Sequence, residues 1–300
     1  MQKIDGHTRL CGLIGNPVEH TMSPVIHNTL AAMEGRNLVY VPFHVGTGQA
    51  RKAVEGAYAL NVLGLNVTVP YKEEVIAYLK ETDAMAKQIG AVNTLVRTQG
   101  GYKGYNTDMM GLYRAMCAEG IKLEGEEVII LGAGGAARAV AFLCAWKKAA
   151  RIYLLNRTLE KAKRIAEEVN GMAGRGAAAG NGAGKVEPMP LEDYREIPSD
   201  RKYLAIQATS VGLYPKTKEA PIEDKEFYQK IHTGFDLIYR PSQTRFMSLV
   251  RGQGGRAFHG LKMLLYQGII AYELWNGTEI PQEDALGVYE TMKTEMGIEE

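Results

Sequence analysis

Two stretches of the chain place small or cationic residues where they could handle phosphate. The run Gly132-Ala133-Gly134-Gly135-Ala136-Ala137 follows the apolar segment Glu127-Val128-Ile129-Ile130-Leu131 and leads into a helical pattern from Ala136 to Lys147. After a buried strand, Gly132 permits a tight turn, Gly134 lets the backbone approach a pyrophosphate, and Ala137 is small enough for the helix to pack closely on the strand. The N–H groups at the start of that helix lack partners within it and offer donors to phosphate oxygens. By itself such a turn is a weak signal, because any strand-to-helix connection can be glycine-rich. The second stretch strengthens it. Arg151-Ile152-Tyr153-Leu154-Leu155 completes a βαβ unit and ends in Asn156-Arg157-Thr158. Sites for NAD usually carry an acidic residue about 20 positions after the glycines, which accepts bonds from the ribose hydroxyls. Here Arg157 instead offers a planar cation to a 2′-phosphate, Thr158 a hydroxyl, and Lys161 a second cation one turn into the next helix. NADP is therefore the expected cofactor. Capping of the next helix by Asn156 or Thr158 is compatible with that role, since a residue at a helix start also faces the phosphate.

Other polar groups gather at element boundaries. Thr21-Met22-Ser23-Pro24 opens a helical pattern of Val25, Ile26, Leu30 and Met33 closed by Gly35. Ser23 reads as its N-cap and Pro24 as its first residue, and a helix start bearing two hydroxyls is also a natural seat for a carboxylate. In Asn66-Val67-Thr68-Val69-Pro70-Tyr71-Lys72 a strand runs into proline, and Lys72 lands at the start of a helix continuing through Glu73, Val75 and Leu79. A cation there opposes the helix dipole, but most exposed lysines are simply solvated. Asn93, within Gly90-Ala91-Val92-Asn93-Thr94, fits a turn residue, and Thr107 or Asp108 fits a cap for the helix Met109 to Ala118. Gln267, one turn after Met263, is by itself an ordinary helical glutamine.

The elements that must position these residues follow from hydrophobic patterning. Leu10 to Ile14, Leu38 to Phe43 and Leu63 to Val69 read as strands separated by helical patterns, which predicts βαβ units and mostly parallel sheet. Leu95 to Tyr105, with Gly100-Gly101 at its middle, reads as a hairpin or an irregular excursion. Further strands are predicted at Tyr203 to Ile206 and Gly234 to Ile238, and a long final helix from about Gly260 to Trp275. Gly171 to Lys185 is almost wholly Gly, Ala and Asn and reads as a surface loop or insertion. Its tail fails as a phosphate loop, because Ala179 and Val186 occupy positions that need Gly and Ser or Thr.

A chain of 300 residues exceeds the roughly 100 to 150 of a typical domain, so two domains are expected, with one large domain as the runner-up. Hydrophobic residues at 46% and charged residues at 23% fit an ordinary soluble globular protein. A net charge of +1 provides no global field for nucleic acid or an anionic membrane, so neither is an expected partner. Cys11, Cys117 and Cys144 are widely spaced, without a CxxC, and read as buried thiols in a reducing compartment rather than disulfides or metal ligands. The polar segment Met1 to Arg9 lacks the character of a signal peptide, and no run of about 18 apolar residues could span a bilayer, so a cytoplasmic location is expected.

Taken together, the pieces resemble the shikimate dehydrogenase family, in an order and spacing that cover nearly the whole chain. The resembling segments are Gly15-Asn16-Pro17 with Thr21 to Pro24, Asn66 to Lys72, Gly90 to Thr94, Asn106 to Asp108, Gly132 to Ala137 and Asn156 to Thr158. Ala208-Thr209-Ser210-Val211-Gly212, Asp236-Leu237-Ile238-Tyr239, and Gly260 with Met263-Leu264 and Gln267 complete the set. The resemblance implies reversible NADPH-dependent reduction of 3-dehydroshikimate to shikimate, in chorismate and aromatic amino acid biosynthesis, with no metal. Lys72 and Asp108 would be the catalytic pair, supplying a proton as the carbonyl oxygen becomes a hydroxyl. Thr21 and Ser23 would hold the substrate carboxylate; Thr68, Lys72, Asn93, Asp108 and Gln267 would meet the ring hydroxyls, and Tyr239 would close the pocket. Thr209, Gly260 and Met263 would lie along the cofactor near its nicotinamide end. The implied fold is α/β. Residues 1–108 and 264–300 form an N-terminal α/β substrate-binding domain and residues 109–263 a Rossmann-type NADP-binding domain, with the last helices returning to the first domain. A monomer or a homodimer is compatible with this plan.

Three features depart from the family pattern: Thr21 where serine is most common, Gln207 where asparagine is usual, and the long stretch Gly171 to Lys185. The extra methyl of Thr21 beside the carboxylate leaves quinate open as a substrate. Two rivals remain. A quinate/shikimate dehydrogenase of broader substrate or NAD use is disfavoured by the missing acidic residue at Arg157-Thr158. A non-catalytic NADP-binding sensor would need cofactor contacts but no proton-transfer pair, so Lys72 with Asp108 argues against it.

Overall fold

The alternating apolar runs and helical patterns form two six-stranded sheets in the computed structural model, which describes residues 4–173 and 184–298. The chain divides into two units, Met1–Arg114 with Leu264–Glu300, and Ala115–Met263.

The first unit begins β1 (Arg9–Gly15), α1 (Ser23–Met33), β2 (Leu38–His44), α2 (Ala50–Ala59) and β3 (Gly64–Val67). It continues with β4 (Glu81–Thr82), α3 (Ala84–Ile89), β5 (Thr94–Thr98), β6 (Gly101–Tyr105) and the start of α4 (Asp108–Ala118). The strand order is β2-β1-β3-β5-β6-β4. β2 and β3 pair parallel to β1, whereas β5 runs antiparallel to both β3 and β6, which makes Leu95 to Tyr105 part of a hairpin and the sheet mixed. Gly100, at φ +83°, makes the turn. Ile14, Leu65, Val67 and Leu95 on the sheet pack with Val54, Tyr71 and Val75 in the core.

The second unit holds β7 (Glu127–Leu131), α5 (Gly135–Trp146), β8 (Arg151–Asn156), α6 (Leu159–Ala173), β9 (Lys185–Pro190) and β10 (Tyr203–Gln207). It ends with α7 (Lys225–Gln229), β11 (Ile231–Asp236), α8 (Arg245–Gly252), β12 (Arg256–Phe258) and the start of α9 (Leu261–Asn276). α10 (Gln282–Met296) belongs to the first unit. All pairings here are parallel, and the order β12-β11-β10-β7-β8-β9 reverses direction between β7 and β10. Counted from β7 this is the 3-2-1-4-5-6 order of dinucleotide-binding sheets, whose ligands sit where the order reverses. Val128 to Leu131 are fully buried, as a parallel strand covered on both faces requires.

α9 packs back on the first sheet by close fit, and Arg114 of α4 pairs with Glu273 of α9 at 2.9 Å. A Cβ on Gly64 would overlap the Trp275 ring, and the Trp275 indole N–H donates to the Leu95 carbonyl at 2.9 Å. A Cβ on Gly111 of α4 would stand 2.6 Å from the Gln267 backbone nitrogen, so only glycine lets these helices approach so closely.

Several local expectations need correction. Ser23 is the first residue of α1 rather than its cap; Met22 holds the cap position, and the Thr21 hydroxyl accepts from Ser23 N–H at 3.2 Å. Lys72 sits in a turn before a short 3-10 helix, Glu74–Tyr78, and Leu79 is already extended, because this single turn ends where the chain enters β4. α6 continues through Gly171 to Ala173 and β9 starts at Lys185, so the loop expected over 171–185 is shorter; residues 174–183 lie outside the described residues. The long helix α9 is followed by another, α10, so it is not the last. Burial pushes the thiols of Cys11 and Cys144 up to about 12, but Cys117 near the end of α4 is exposed.

Candidate active site

The turn after β3 and the N-terminus of α4 bring Lys72 and Asp108 together, with Nζ donating to Asp108 Oδ2 at 2.6 Å. The backbone makes this approach possible: the Lys72 carbonyl accepts from Val92 N–H at 2.8 Å, tying its turn to the segment just before β5 that carries Asn93. Asp108 is the first residue of α4, and its own N–H is satisfied by Asn106 Oδ1 at 3.1 Å. Its carboxylate turns instead to Lys72 and Asn93. Asn93 is 2% exposed, and its amide orientation is dictated by its neighbours. Oδ1 accepts the backbone N–H of Thr107 at 2.8 Å, so the other end of the amide is Nδ2, which donates to Asp108 Oδ1 at 2.9 Å. Both oxygens of Asp108 are thus held, one by an ammonium and one by an amide. Gln267 Oε1 lies 3.5 Å from the same Asn93 Nδ2, and Gln267 Nε2 donates to the Leu264 carbonyl at 2.9 Å.

Thr21 and Ser23 form a hydroxyl pair at the start of α1, with Oγ1 of Thr21 donating to Oγ of Ser23 at 3.1 Å. Thr68 occupies the turn between β3 and Lys72, its backbone N–H bonded to the Ile14 carbonyl at 3.0 Å. Sequence reasoning missed the buried polar residues beneath this surface. Asn66 on β3 takes the Tyr40 hydroxyl on Oδ1 at 2.8 Å and donates from Nδ2 to Thr94 Oγ1 at 3.1 Å. Thr107 Oγ1 lies 3.0 Å from Asn93 Nδ2. The available signal was a polar residue, Asn66, inside an otherwise buried strand.

In the second unit, Gly132 leaves β7 at φ +113°, and a Cβ there would stand 2.9 Å from the Ala208 carbonyl oxygen. The turns after β7 and β10 therefore lie side by side at the point where the strand order reverses. α5 starts without a side-chain cap, and added Cβ atoms on Gly134 or Gly135 would meet nothing within 4 Å. Uncapped N–H groups facing open space suit a pyrophosphate, and the buried Ala137 allows the close helix-to-strand contact. Ala133 lies in that turn and Ala136 in the first turn of α5. Asn156 ends β8 with Nδ2 bonded to the Thr158 carbonyl at 2.9 Å, while Arg157, Thr158 and Lys161 are exposed. Neither cation has an ion-pair partner among the described residues, which leaves both available to a phosphate. These residues fit NADP. Gln207 shapes the turn bearing Thr209: its Oε1 accepts from Thr209 N–H at 2.5 Å and its Nε2 donates to the Val211 carbonyl at 3.0 Å. The longer side chain in place of asparagine thus still closes the turn. Gly260 abuts the Leu237 carbonyl, where a Cβ would collide, and donates its N–H to Ile238 at 2.9 Å. Met263 lies in the first turn of α9, and Tyr239, part-buried after β11, has its phenol pKa raised by that burial. Among the described residues no three His, Cys, Asp or Glu side chains converge to hold a metal, and no helix is long and apolar enough to cross a membrane.

Comparison with known proteins places the chain among relatives along nearly its whole length. Residues 13–95 match the model of the shikimate dehydrogenase substrate binding domain, residues 115–176 that of shikimate/quinate 5-dehydrogenase, and residues 260–286 that of the shikimate 5′-dehydrogenase C-terminal domain. The shikimate dehydrogenase (NADP+) of Desulforamulus reducens is 40% identical over 283 residues, 93% of this chain and 94% of that protein. The shikimate 5-dehydrogenase of Listeria monocytogenes, solved with shikimate and NAD, superposes with a TM-score of 0.86 at 30% identity over 99% of both chains. That of Thermus thermophilus, solved with NADP(H) and shikimate, gives a TM-score of 0.81 at 30% identity over 96% of this chain and 99% of its own. Matching domain models and a 40% identical relative along nearly the full length converge: the chain belongs to the shikimate dehydrogenase family.

Proposed function

We propose that this protein is an NADP-dependent shikimate dehydrogenase interconverting 3-dehydroshikimate and shikimate. The observation that carries the reading is the Lys72–Asp108 pair at 2.6 Å, ringed by polar groups suited to a hydroxylated acid. Thr21 and Ser23 receive the carboxylate; Thr68, Asn93 and Gln267 meet ring hydroxyls. Lys72 Nζ delivers a proton to the carbonyl oxygen as it becomes a hydroxyl, and takes one back in the reverse direction. Asp108 keeps that ammonium aimed and lies within reach of the same hydroxyl. Gly132 to Ala136, Asn156 to Thr158 and Lys161 hold NADP, with Thr209, Gly260 and Met263 toward its nicotinamide end; when bound, NADPH supplies the hydride. Arg157 and Lys161 favour the 2′-phosphate over a bare ribose. Catalysis in the cytoplasm by a monomer or homodimer completes the reading.

Steady-state absorbance assays with shikimate and quinate, each with NADP and NAD, test it. Preference for shikimate and NADP is the expected result. Preference for quinate or NAD points to the broader-specificity relative, and tight NADP binding without turnover points to a sensor.

A further inference from the structure

His27 on α1 is fully buried, and none of the roles above uses it. Its ring stacks on Tyr40 with centroids 4.2 Å apart and meets Trp275 at 4.9 Å. Nε2 lies 3.1 Å from Asn66 Oδ1, and Nδ1 has no partner among the described residues. A buried polar atom without a partner is costly, and phenylalanine would fill this aromatic niche without one. What histidine adds is the nitrogen turned toward Asn66.

The proton positions follow from the neighbours. Asn66 Nδ2 faces the Asn93 backbone carbonyl at 3.3 Å, a group that can only accept. Oδ1 must then be the acceptor for both the Tyr40 hydroxyl and His27 Nε2, so His27 is the neutral Nε2–H tautomer. Burial reinforces its neutrality by pushing its pKa down to about 3. Held this way, Asn66 faces two directions. Toward α1 it orients the Tyr40 phenol, beside which the Ser23 side chain sits. Toward β5 it donates to Thr94 Oγ1, which donates at 3.1 Å to Asn93 Oδ1, and Asn93 holds Asp108.

We propose that His27 is a positioning residue of the substrate site: its Nε2–H fixes the Asn66 carboxamide, which sets the Ser23 hydroxyl through Tyr40 and the Asn93 amide through Thr94. The proposal rests on the shikimate dehydrogenase reading for the identity of the substrate. Without the Nε2 donor, Asn66 gains freedom to turn, and both the hydroxyl pair and the amide that grips Asp108 lose their alignment together.

Two variants separate the donor from the packing. Glutamine places its Nε2 as many bonds from Cβ as the imidazole Nε2, whereas phenylalanine keeps the stacked ring without a donor. His27→Phe is expected to raise KM for shikimate about tenfold and lower kcat severalfold, the scale of one lost buried hydrogen bond, with KM for NADP unchanged. His27→Gln is expected to restore most of both parameters. Equal kinetics for the two variants, whether both impaired or both like the parent, overturn the proposal. A second measurement stands apart from activity: two-bond proton–nitrogen spectra of protein carrying 15N-histidine. One of the 6 histidines should stay neutral and Nε2-protonated from about pH 8 to about pH 5, and disappear in His27→Gln. An Nδ1–H tautomer overturns the proposal even if the phenylalanine variant fails to fold. Inactivity of the parent on shikimate would instead count against the proposed function, leaving the tautomer measurement to decide the role of His27.

Discussion

Lys72→Ala deletes the ammonium that lies 2.6 Å from Asp108 Oδ2 while leaving the Lys72 carbonyl bonded to Val92 N–H. Two magnitudes separate cleanly at this position. The pair is partly solvated, with side chains 32% and 23% exposed, and Asp108 keeps the Asn93 amide on its other oxygen. Its loss should therefore cost only about 0–1 kcal/mol of stability, the range of exposed ion pairs. A positioned proton donor, by contrast, contributes roughly 10²–10⁴-fold to turnover, about 3–5 kcal/mol of barrier. The expected outcome is a fall in kcat of about a hundredfold or more, with KM for shikimate within about threefold of the parent. Thermal unfolding should shift by no more than about 4 °C. The assay is NADPH absorbance at saturating shikimate, accompanied by calorimetry on the same preparation. Because the two residues act as a unit, adding Asp108→Asn to Lys72→Ala should lower kcat little further. Turnover within about threefold of the parent for Lys72→Ala would refute proton transfer by this residue.

Arg157→Ala should raise KM for NADP about 10–100-fold, the scale of a lost charge-assisted phosphate contact, and leave KM for NAD nearly unchanged; equal effects on both would remove Arg157 from the 2′-phosphate. Gly111→Ala places a Cβ 2.6 Å from the Gln267 backbone nitrogen, which cannot swing aside. A loss of about 1–3 kcal/mol is expected as a lower denaturant midpoint at unchanged slope, and an unshifted midpoint refutes the close crossing of α4 and α9. Asp236 is buried, and although Thr244 Oγ1 at 2.6 Å and the Ile238 N–H at 3.0 Å favour its charge, burial raises its pKa to about 6. Its folded value lies above the unfolded value of about 3.9, so ionisation costs stability as pH rises through that window, by roughly 3 kcal/mol in all. Relative to the parent, Asp236→Asn should therefore gain about that much stability between about pH 4 and about pH 7, and a pH-independent difference refutes the assignment.

The sequence by itself determined most of the elements and the glycine turn after β7, because these depend on neighbours along the chain. Apolar runs of strand length, a glycine turn between strand and helix, and Arg157 where an acidic residue would select NAD are all local patterns. The boundaries were less legible. Thr21 and Ser23 both offer hydroxyls, yet α1 begins at Ser23 behind Met22 without a side-chain cap, the Thr21 hydroxyl accepting the Ser23 N–H. The single turn after Lys72 stays short because β4 captures the chain soon after it. The tertiary structure alone decided the polar site. Lys72 meets Asp108 across 36 positions, and Asn93 approaches Gln267 across 174, because strand order and the glycine-mediated contact of α4 with α9 bring them together. His27 carries no local sign of its role: in sequence it is one histidine on an amphipathic helix, and only burial against Tyr40, Trp275 and Asn66 dictates its tautomer. Local propensity encodes where the backbone turns; which buried donors face which acceptors is settled by packing between elements distant in sequence.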